Sequence, residues 1–477
     1  MKSGSPTPTQ LSAKLFNFFF WIFNASLLLI IYIGFLPFIG LAFMSDTTAG
    51  QVPLNFLVPF IGLVGVPTTC TIAGFRPKLK RASLSLFQVF YGIEAPLLVL
   101  CVTRFFVLRD LTPASSFLLV TGLVGTIATI HWLVKGRDPN GQANLLHLIG
   151  LSLFLFTSLF FVAIALFFVI PFLQLILTSW LSIFLFASML FPLTILLMGA
   201  ISFPFGMLPV AWQGWKQNLQ KAIARYGKTK ATVLASTIAV LWLGSFIALQ
   251  HQPQNQAFAL LKTPPQTDSD RQVLLQKSEV IRKGLLNAYL SSYRYPRSGE
   301  EKFIYQYYHD TLMLPDFLAQ GIQNTFNFVT HPFQYGGTAE DRAKAEKLYA
   351  EFFDAPIIRK EQSTLQKAVT STFNRGEAKA GLLDVNQKRV RLAQQDITIK
   401  PKGDWAEVEL HEVYENQTFN PEEILYYFSL PESSVVTGLW LGETANRASS
   451  FPFQISTRGA AQQVYNKEVS RRVIRHC

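Results

Sequence analysis

The chain has 477 residues, of which 50% are hydrophobic and 15% are charged, and its formal net charge is +12. Residues 1–250 hold fifteen Lys and Arg but only four acidic residues, which argues against nucleic-acid binding and favours loops that face anionic lipid and cytoplasm. Cys70, Cys101 and Cys477 form no CxxC or Cys/His pattern, which excludes a disulfide framework and a zinc site of that type.

Seven apolar runs fill residues 1–250. They are expected at about Leu15–Met44, Val52–Phe75, Leu84–Thr103, Leu111–Val134, Leu145–Leu177, Ser179–Trp212 and Ala231–Gln250. At 1.5 Å per residue, about 20 apolar residues cross the hydrocarbon core of a bilayer, which is about 30 Å thick. The first run is too long for a cleavable signal sequence and is interpreted as a signal anchor. For the last run a core helix of a soluble domain is the alternative, and the six runs before it argue against that.

Two stretches of this half are harder to interpret. The sixth run contains Pro192, Pro204 and Pro209, so we expect it to be kinked or partly re-entrant. The segment 213–230, between the sixth and seventh runs, holds five basic residues and no acid. It is predicted to be a plain cytoplasmic loop, with a helix on the lipid surface as the alternative.

The distribution of positive charge predicts the topology. With the N-terminus inside, the inside segments hold thirteen Lys and Arg, whereas the short outside loops hold only Arg104 and Arg109. This bias places the region after residue 250 outside the cytoplasm. We therefore expect a multi-pass protein with a cytoplasmic N-terminus and an extracytoplasmic C-terminal region.

Glu94 is the one acidic residue inside a predicted span. Because a lone carboxylate in lipid is costly, it should face other helices, be protonated, or pair with His131 or His147. The functional interpretation is a proton or ion site, and the structural interpretation is a hydrogen bond between helices. No second half repeats the first, so the inverted repeat of many transporters is not evident.

The region after the seventh run begins with a polar linker at 251–270, and residues 271–384 have helical patterning. Leu274, Ile281, Leu285 and Tyr289 share one face of a predicted helix that Asp270 would cap. Residues 303–330 mix aromatic side chains with helical spacing, and either pack in a helical bundle or lie on the membrane surface. Packing is the preferred interpretation.

From about residue 388 the apolar pattern alternates, which predicts an antiparallel sheet followed by one helix. The first two strands flank a turn at 401–404. Further strands are expected at Ile424–Leu430 and Val435–Leu441, and the helix after residue 455. This β domain is assigned to residues 385–477.

The residues of this sheet resemble the VIT (vault protein inter-alpha-trypsin) domain family. The matching positions are Asn416, Pro421, Glu422, Glu423, Tyr427, Phe428, Leu430, Pro431, Val435, Val436 and Gly438, followed by Ala461 and Tyr465. The resemblance implies an interaction module with no catalytic residues. It also implies further strands after Cys477, so we expect the chain to be a fragment.

A polytopic half joined to such a module resembles the bacterial PEP-CTERM family integral membrane proteins, which are associated with exosortase sorting systems. No PEP-CTERM tail occurs in the sequence. The chain also has no GxSxG, HExxH, P-loop or strand-associated GxGxxG motif, so we expect no enzyme, cofactor or metal.

The sequence therefore predicts a polytopic helical membrane domain at 1–250, a linker, a helical extracytoplasmic region and a VIT-like β module. The resemblance implies a bacterial plasma membrane. We expect an integral membrane protein that displays this module outside the cytoplasm, with the bilayer and envelope or surface proteins as partners. The alternative is a transporter or channel-like protein that uses Glu94.

Overall fold

The computed structural model describes residues 8–75, 85–135, 145–185, 187–262, 267–298, 301–375, 390–416, 434–442 and 450–452. The chain divides into two compact units, Met1–Leu382 and Leu383–Cys477. The first unit holds long apolar helices and a smaller domain of short helices. In the second unit the described residues form β-strands, a turn and an irregular stretch.

Seven helices in the described part of the chain are long and apolar enough to cross a membrane, as predicted. We number them as spans one to seven: Ser12–Thr48, Leu54–Phe75, Leu86–Val107, Pro113–Val134, Leu145–Gln174, Ile195–Tyr226 and Lys228–Leu249. The protein is therefore a multi-pass membrane protein.

The fifth and sixth spans belong to two long helices, Leu145–Leu185 and Ala187–Tyr226. The predicted partly re-entrant segment is wrong, because helix continues without interruption through Pro192, Pro204 and Pro209. At 1.5 Å per residue, each helix is about 60 Å long and exceeds the hydrocarbon core of a bilayer.

The basic segment 213–230 is neither a loop nor a separate surface helix. The sixth span continues through it to Tyr226, and the seventh span begins at Lys228. Only Gly227 separates them, with a φ of 86°, a left-handed value that a residue without a side chain adopts readily. The basic side chains therefore lie on the adjoining ends of two helices.

Three stretches of the first and third spans are π-helical: Ile30–Gly40, Phe90–Glu94 and Thr103–Val107. Pro37 lies inside the first, and Pro96 lies two residues after the end of the second. Proline has no N–H for the α-helical hydrogen bond and its ring crowds the preceding turn, so a wider turn relieves both problems.

Small residues bring the membrane helices into close contact. A Cβ at Gly125, in the fourth span, would lie 2.6 Å from the backbone nitrogen of Phe154 in the fifth. Glycine at this position lets the two backbones approach, as is common between helices in membranes. The bundle core beside this contact is aromatic and includes Phe20, Phe23 and Phe90.

The domain after the seventh span, which we call the helical domain, contains nine α-helices in its described part. They are α1 Gln254–Leu260, α2 Asp268–Gln276, α3 Ser278–Tyr289, α4 Ser291–Arg294, α5 Phe303–Gln306, α6 Asp316–Thr330, α7 Asp341–Phe353, α8 Ile357–Lys360 and α9 Gln362–Thr370. A short parallel pair, β1 Arg297–Ser298 and β2 Gln334–Tyr335, joins two of its loops.

The start of α2 differs from the prediction. Thr267, not Asp270, is the N-cap, and the Asp270 carboxylate completes a capping box with the backbone N–H of Thr267. The predicted single helix is two helices, because α2 ends at Gln276 and α3 begins at Ser278. The core beneath them is apolar and includes Ile281, Leu285 and Tyr349.

The second unit contains one long antiparallel hairpin in its described part, β3 Val390–Lys402 and β4 Trp405–Asn416, with Gly403 in the turn. The predicted strand at Val435–Leu441 is reduced to β5 Trp440–Leu441, which pairs with β6 Phe451–Pro452. The predicted strand Ile424–Leu430 and the helix after residue 455 lie outside the described residues.

Candidate functional site

Glu94 lies in the third span, on the last residue of the π-helical stretch Phe90–Glu94. Its side chain is fully buried in the bundle. The extra residue of a π-turn changes the direction of the side chains that follow it, and such turns are frequent at functional sites. Pro96, two residues after Glu94, lacks the N–H of an α-helical hydrogen bond, so the local sequence favours the wider turn on which Glu94 lies.

Two polar side chains from other spans reach this carboxyl group. Asn24 of the first span donates from Nδ2 to Glu94 Oε2 at 3.3 Å. Thr71 of the second span donates from Oγ1 to Asn24 Oδ1 at 3.0 Å. Glu94 Oε1 is buried and has no hydrogen-bond partner among the described residues. The three residues link three spans through one polar cluster, which we call the Glu94 cluster.

The walls of the Glu94 cluster are aromatic. Phe90 packs against Phe20, Phe23 and Phe203 with edge-to-face geometry, at ring-centroid distances of 5.9, 5.0 and 5.5 Å. Such a wall excludes water, so a polar atom inside it interacts strongly with the polar or charged group that faces it. An acid with an unfilled acceptor oxygen in these surroundings can hold a proton or a cation.

The predicted histidine partners of Glu94 are wrong. His131 and His147 bond to each other, with 2.6 Å between His131 Nδ1 and His147 Nε2. His131 lies near the end of the fourth span and His147 at the start of the fifth, whereas Glu94 meets Asn24. Asn24 is a polar residue inside the first apolar run, but no spacing in the sequence connects it to Glu94.

A second buried carboxylate lies where the helical domain contacts the membrane helices. Asp46, at the end of the first span, accepts a hydrogen bond from Nε of Arg375 at 2.8 Å. Both side chains are buried, at 4% and 6% exposure. Arg375 also donates to the carbonyl oxygens of Thr370 and Thr372. We call Asp46–Arg375 the interface pair.

Aromatic side chains surround the interface pair. The guanidinium of Arg375 lies 5.8 Å from the ring centroid of Phe43, close enough for a cation–π interaction. Phe373 packs on Phe106 of the third span, with 5.3 Å between the ring centroids. Arg104, expected in an outside loop, instead lies buried in the third span.

A second contact joins the helical domain to the loop between the third and fourth spans. Arg294 donates from Nε to Asp110 Oδ2 at 2.8 Å, and the backbone N–H of Asp110 donates to the carbonyl of Tyr293. Arg294 also donates from Nη1 to Asn287 Oδ1 at 3.0 Å, and Asn287 donates to Gln254 Oε1 at 2.8 Å. Hydrogen bonds therefore run from helix α1 to the membrane bundle.

Tyr295 completes this network inside the helical domain. Asn287 Nδ2 lies 3.1 Å from its hydroxyl oxygen. Burial raises the pKa of the Tyr295 phenol, so the hydroxyl keeps its proton and remains a donor at physiological pH. The network is fixed by neutral amides and one ion pair.

These contacts place the helical domain on one face of the bundle, which we call the domain face. Asp46 lies at the end of the first span and Asp110 follows the third, and both meet this domain. The described basic residues of 213–230 lie where the sixth span ends and the seventh begins, on the other side of the bundle, which we call the basic face. Successive spans cross the membrane in opposite directions, so the ends of the first and third spans lie on the side opposite to this junction.

The VIT-motif residues are divided between the described and undescribed parts of the chain. Asn416 is the last residue of β4, and Gly438 lies in an irregular stretch before β5. Pro421, Phe428, Leu430, Pro431 and Tyr465 lie outside the described residues.

The chain was compared with known proteins. No family model matches it, and neither a curated protein nor a solved structure does.

Proposed function

We propose that this protein is a membrane platform that holds a VIT-like interaction module at the outer face of a bacterial plasma membrane. Its role is to contact envelope or surface proteins through that module. The observation that carries the proposal is the interface pair, which fixes Arg375 to the first span. Arg375 is therefore held at the domain face.

The β3–β4 hairpin supports an interaction role. Ile397 faces Leu410 and Ile399 faces Val408 across the two strands, and all four side chains are exposed. Residues two apart share a face of a strand, so the hairpin has one apolar face. The other face carries ion pairs such as Lys402–Glu407. An isolated two-stranded hairpin is marginally stable, so this apolar face needs a further layer.

The distribution of charge supports the outer location. The ends of spans at the basic face carry Lys216, Lys221, Arg225, Lys228 and Lys230. Positive residues remain on the cytoplasmic side in most membrane proteins, so the domain face is extracytoplasmic in this proposal. Reporter enzymes fused at residues 260 and 380, active only outside the cytoplasm, test the orientation. Activity at both positions is expected, and silence at both with the fusion present in the membrane contradicts it.

Photo-cross-linking in whole cells tests the interaction role. A photoreactive residue at Val408 samples the apolar face of the hairpin, and one at Glu407 samples the charged face as a matched control. We expect adducts with another envelope protein from Val408 and few or none from Glu407. Adducts from neither face, across several positions of β3 and β4, would refute the proposal.

A transporter or channel is the second candidate. It is favoured by Glu94 Oε1, which is buried in the bundle without a hydrogen-bond partner among the described residues. It predicts proton-coupled flux in proteoliposomes that disappears in Glu94→Gln. The platform proposal predicts no such flux, and the same photo-cross-linking yields in wild type and Glu94→Gln. An Asn24→Ala variant is a useful companion, because it removes the donor to Glu94 while keeping the carboxyl group.

A further inference from the structure

A groove runs along the outer surface of the seventh span. It is lined by Thr232, Val233, Ser236, Thr237, Val240 and Leu241. Its volume is about 390 Å³, within the range of roughly 300–1,000 Å³ that is typical of small-molecule sites. Val240 and Leu241 are 69% and 63% exposed, so this side of the helix faces away from the bundle. The helix crosses the bilayer, so the groove opens to lipid.

The lining of the groove suits a hydrocarbon chain, although three of its residues carry hydroxyl groups. Thr232 Oγ1 donates to the carbonyl oxygen of Lys228 at 2.9 Å, and Thr237 Oγ1 donates to that of Val233 at 2.9 Å. These two hydroxyls are bonded within their own helix, so they need no partner from a ligand. Three of the other four lining residues are aliphatic. An acyl chain can therefore lie in the groove without leaving these two hydroxyls unpaired.

The groove lies in one half of the bilayer. The apolar part of the seventh span, residues 231–249, is about 28 Å long at 1.5 Å per residue, which matches a hydrocarbon core of about 30 Å. The lining residues extend from Thr232 to Leu241, over about 14 Å. The groove therefore begins at the basic face and reaches the middle of the bilayer, as an acyl chain of that leaflet does.

Two lysines lie at the end of the groove at the basic face. Lys228 and Lys230 are in the first turn of the seventh span, they are exposed, and this turn contains no acidic residue. Leu148, Ala222 and Ala231 pack together, so the start of the fifth span and the last turns of the sixth lie at the same depth as this turn. The lysines are therefore at the level where the spans leave the hydrocarbon, which is the level of the lipid headgroups.

Charge distinguishes between the possible occupants of the groove. A second copy of the chain in the same orientation would bring its own basic face beside this one, at the same depth, and the like charges would repel each other. A zwitterionic lipid offers the lysines no net charge. An anionic phospholipid offers an apolar chain for the groove and a phosphate for the lysines, and phosphate forms strong charge-assisted hydrogen bonds with Lys.

We propose that this groove binds an anionic phospholipid of the leaflet at the basic face. Its acyl chain lies along the groove from Thr232 to Leu241, and its phosphate accepts hydrogen bonds from Lys228 and Lys230. The site does not depend on which face of the bundle is cytoplasmic, so it is independent of the platform role proposed above.

Photo-cross-linking with lipid analogues tests the proposal on the full chain in phosphatidylcholine liposomes. Two analogues carry a diazirine in one acyl chain, one with a phosphatidylglycerol headgroup and the other with a phosphatidylcholine headgroup. Mass spectrometry of the peptides measures the adducts at Val233 and Val240. Ile127, 56% exposed on the fourth span and seven residues from its end at the basic face, is the lipid-facing control outside the groove.

The phosphatidylglycerol analogue is expected to label the groove several-fold more than Ile127, and the phosphatidylcholine analogue should label the two about equally. The double variant Lys228→Gln with Lys230→Gln should remove the excess. Lys14→Gln, which removes a charge at the start of the first span on the same face, should retain it.

Equal labelling of the groove and Ile127 by the phosphatidylglycerol analogue would overturn the proposal, as would an excess that persists in the double variant. An equal excess with both analogues would also overturn it, because the groove would then select an acyl chain without regard to charge. Groove labelling below that of Ile127 with both analogues would mean that protein, such as a second copy of the chain, covers the groove in place of lipid.

Discussion

The membrane bundle and its interface with the helical domain each bury one carboxylate, and the surroundings of the two differ. Glu94 receives one neutral donor, Asn24, and keeps an oxygen without a partner among the described residues. Asp46 receives a guanidinium at 2.8 Å, and that guanidinium is itself bonded to two carbonyls. A full countercharge is typical of a structural pair. Arg375 Nε and Nη1 have partners, whereas its buried Nη2 has none among the described residues. Because Asn24 is a neutral donor, the Glu94 carboxyl group can still gain or lose a proton or bind a cation.

The largest effect is expected at the interface pair. Arg375→Leu leaves Asp46 buried without its countercharge, which costs about 3–5 kcal/mol of the free energy of unfolding. Reversible unfolding in mixed SDS micelles measures this loss. The double variant Asp46→Asn with Arg375→Leu should lose less than the sum of the single variants. Additive losses would show that the two side chains do not interact.

The helix contact at Gly125 gives the next effect. Gly125→Ala places a methyl group against the Phe154 backbone, which cannot move aside as a flexible side chain can, and should cost about 1–3 kcal/mol. Gly244→Ala is the matched control on the seventh span, because no heavy atom lies within 4 Å of the position that its methyl group would take. The control should unfold like wild type. Equal behaviour of the two variants would contradict the close approach of these spans.

The second contact of the helical domain should contribute less than the interface pair. Asp110 and Arg294 are 25% and 17% exposed, so water partly screens them. Asp110→Asn removes the charge but retains the shape and should cost about 1 kcal/mol. The same SDS unfolding measures it. A loss as large as that of Arg375→Leu would mean that the two contacts contribute equally to stability, which contradicts the smaller contribution expected for Asp110–Arg294.

The smallest effect on stability is expected for Glu94→Gln. The amide oxygen still accepts from Asn24, so the free energy of unfolding should change by less than about 1 kcal/mol. Glu94→Leu is the contrasting variant, since it leaves the Asn24 amide facing a hydrocarbon side chain. A loss for Glu94→Gln comparable to that of Arg375→Leu would show that Glu94 is a charged structural residue.

Composition and periodicity predicted the seven spans, because a bilayer demands long apolar segments and the sequence contains them. They also indicate Glu94 as a candidate functional residue, because an acidic residue is rare in a membrane-spanning segment. They did not predict its partner, because Asn24 is 70 residues away and no local pattern connects the two.

The sequence does not predict the interface pair either, because no local pattern connects its two residues. Asp46 and Arg375 are 329 residues apart, and each resembles an ordinary loop charge when considered alone. The prediction of a loop at 213–230 is wrong because Lys and Arg are good helix formers, so a basic segment can continue a helix. Its one break, Gly227, is the residue with the left-handed φ.

Labelling of single cysteines by a membrane-impermeant maleimide in intact cells tests the central claim most directly. Lys347→Cys lies on helix α7 of the helical domain, and Lys228→Cys lies at the basic face. We predict that the cysteine at 347 is labelled in intact cells, and the one at 228 only after permeabilisation. Labelling of both positions in intact cells, or the reverse order, would contradict the account.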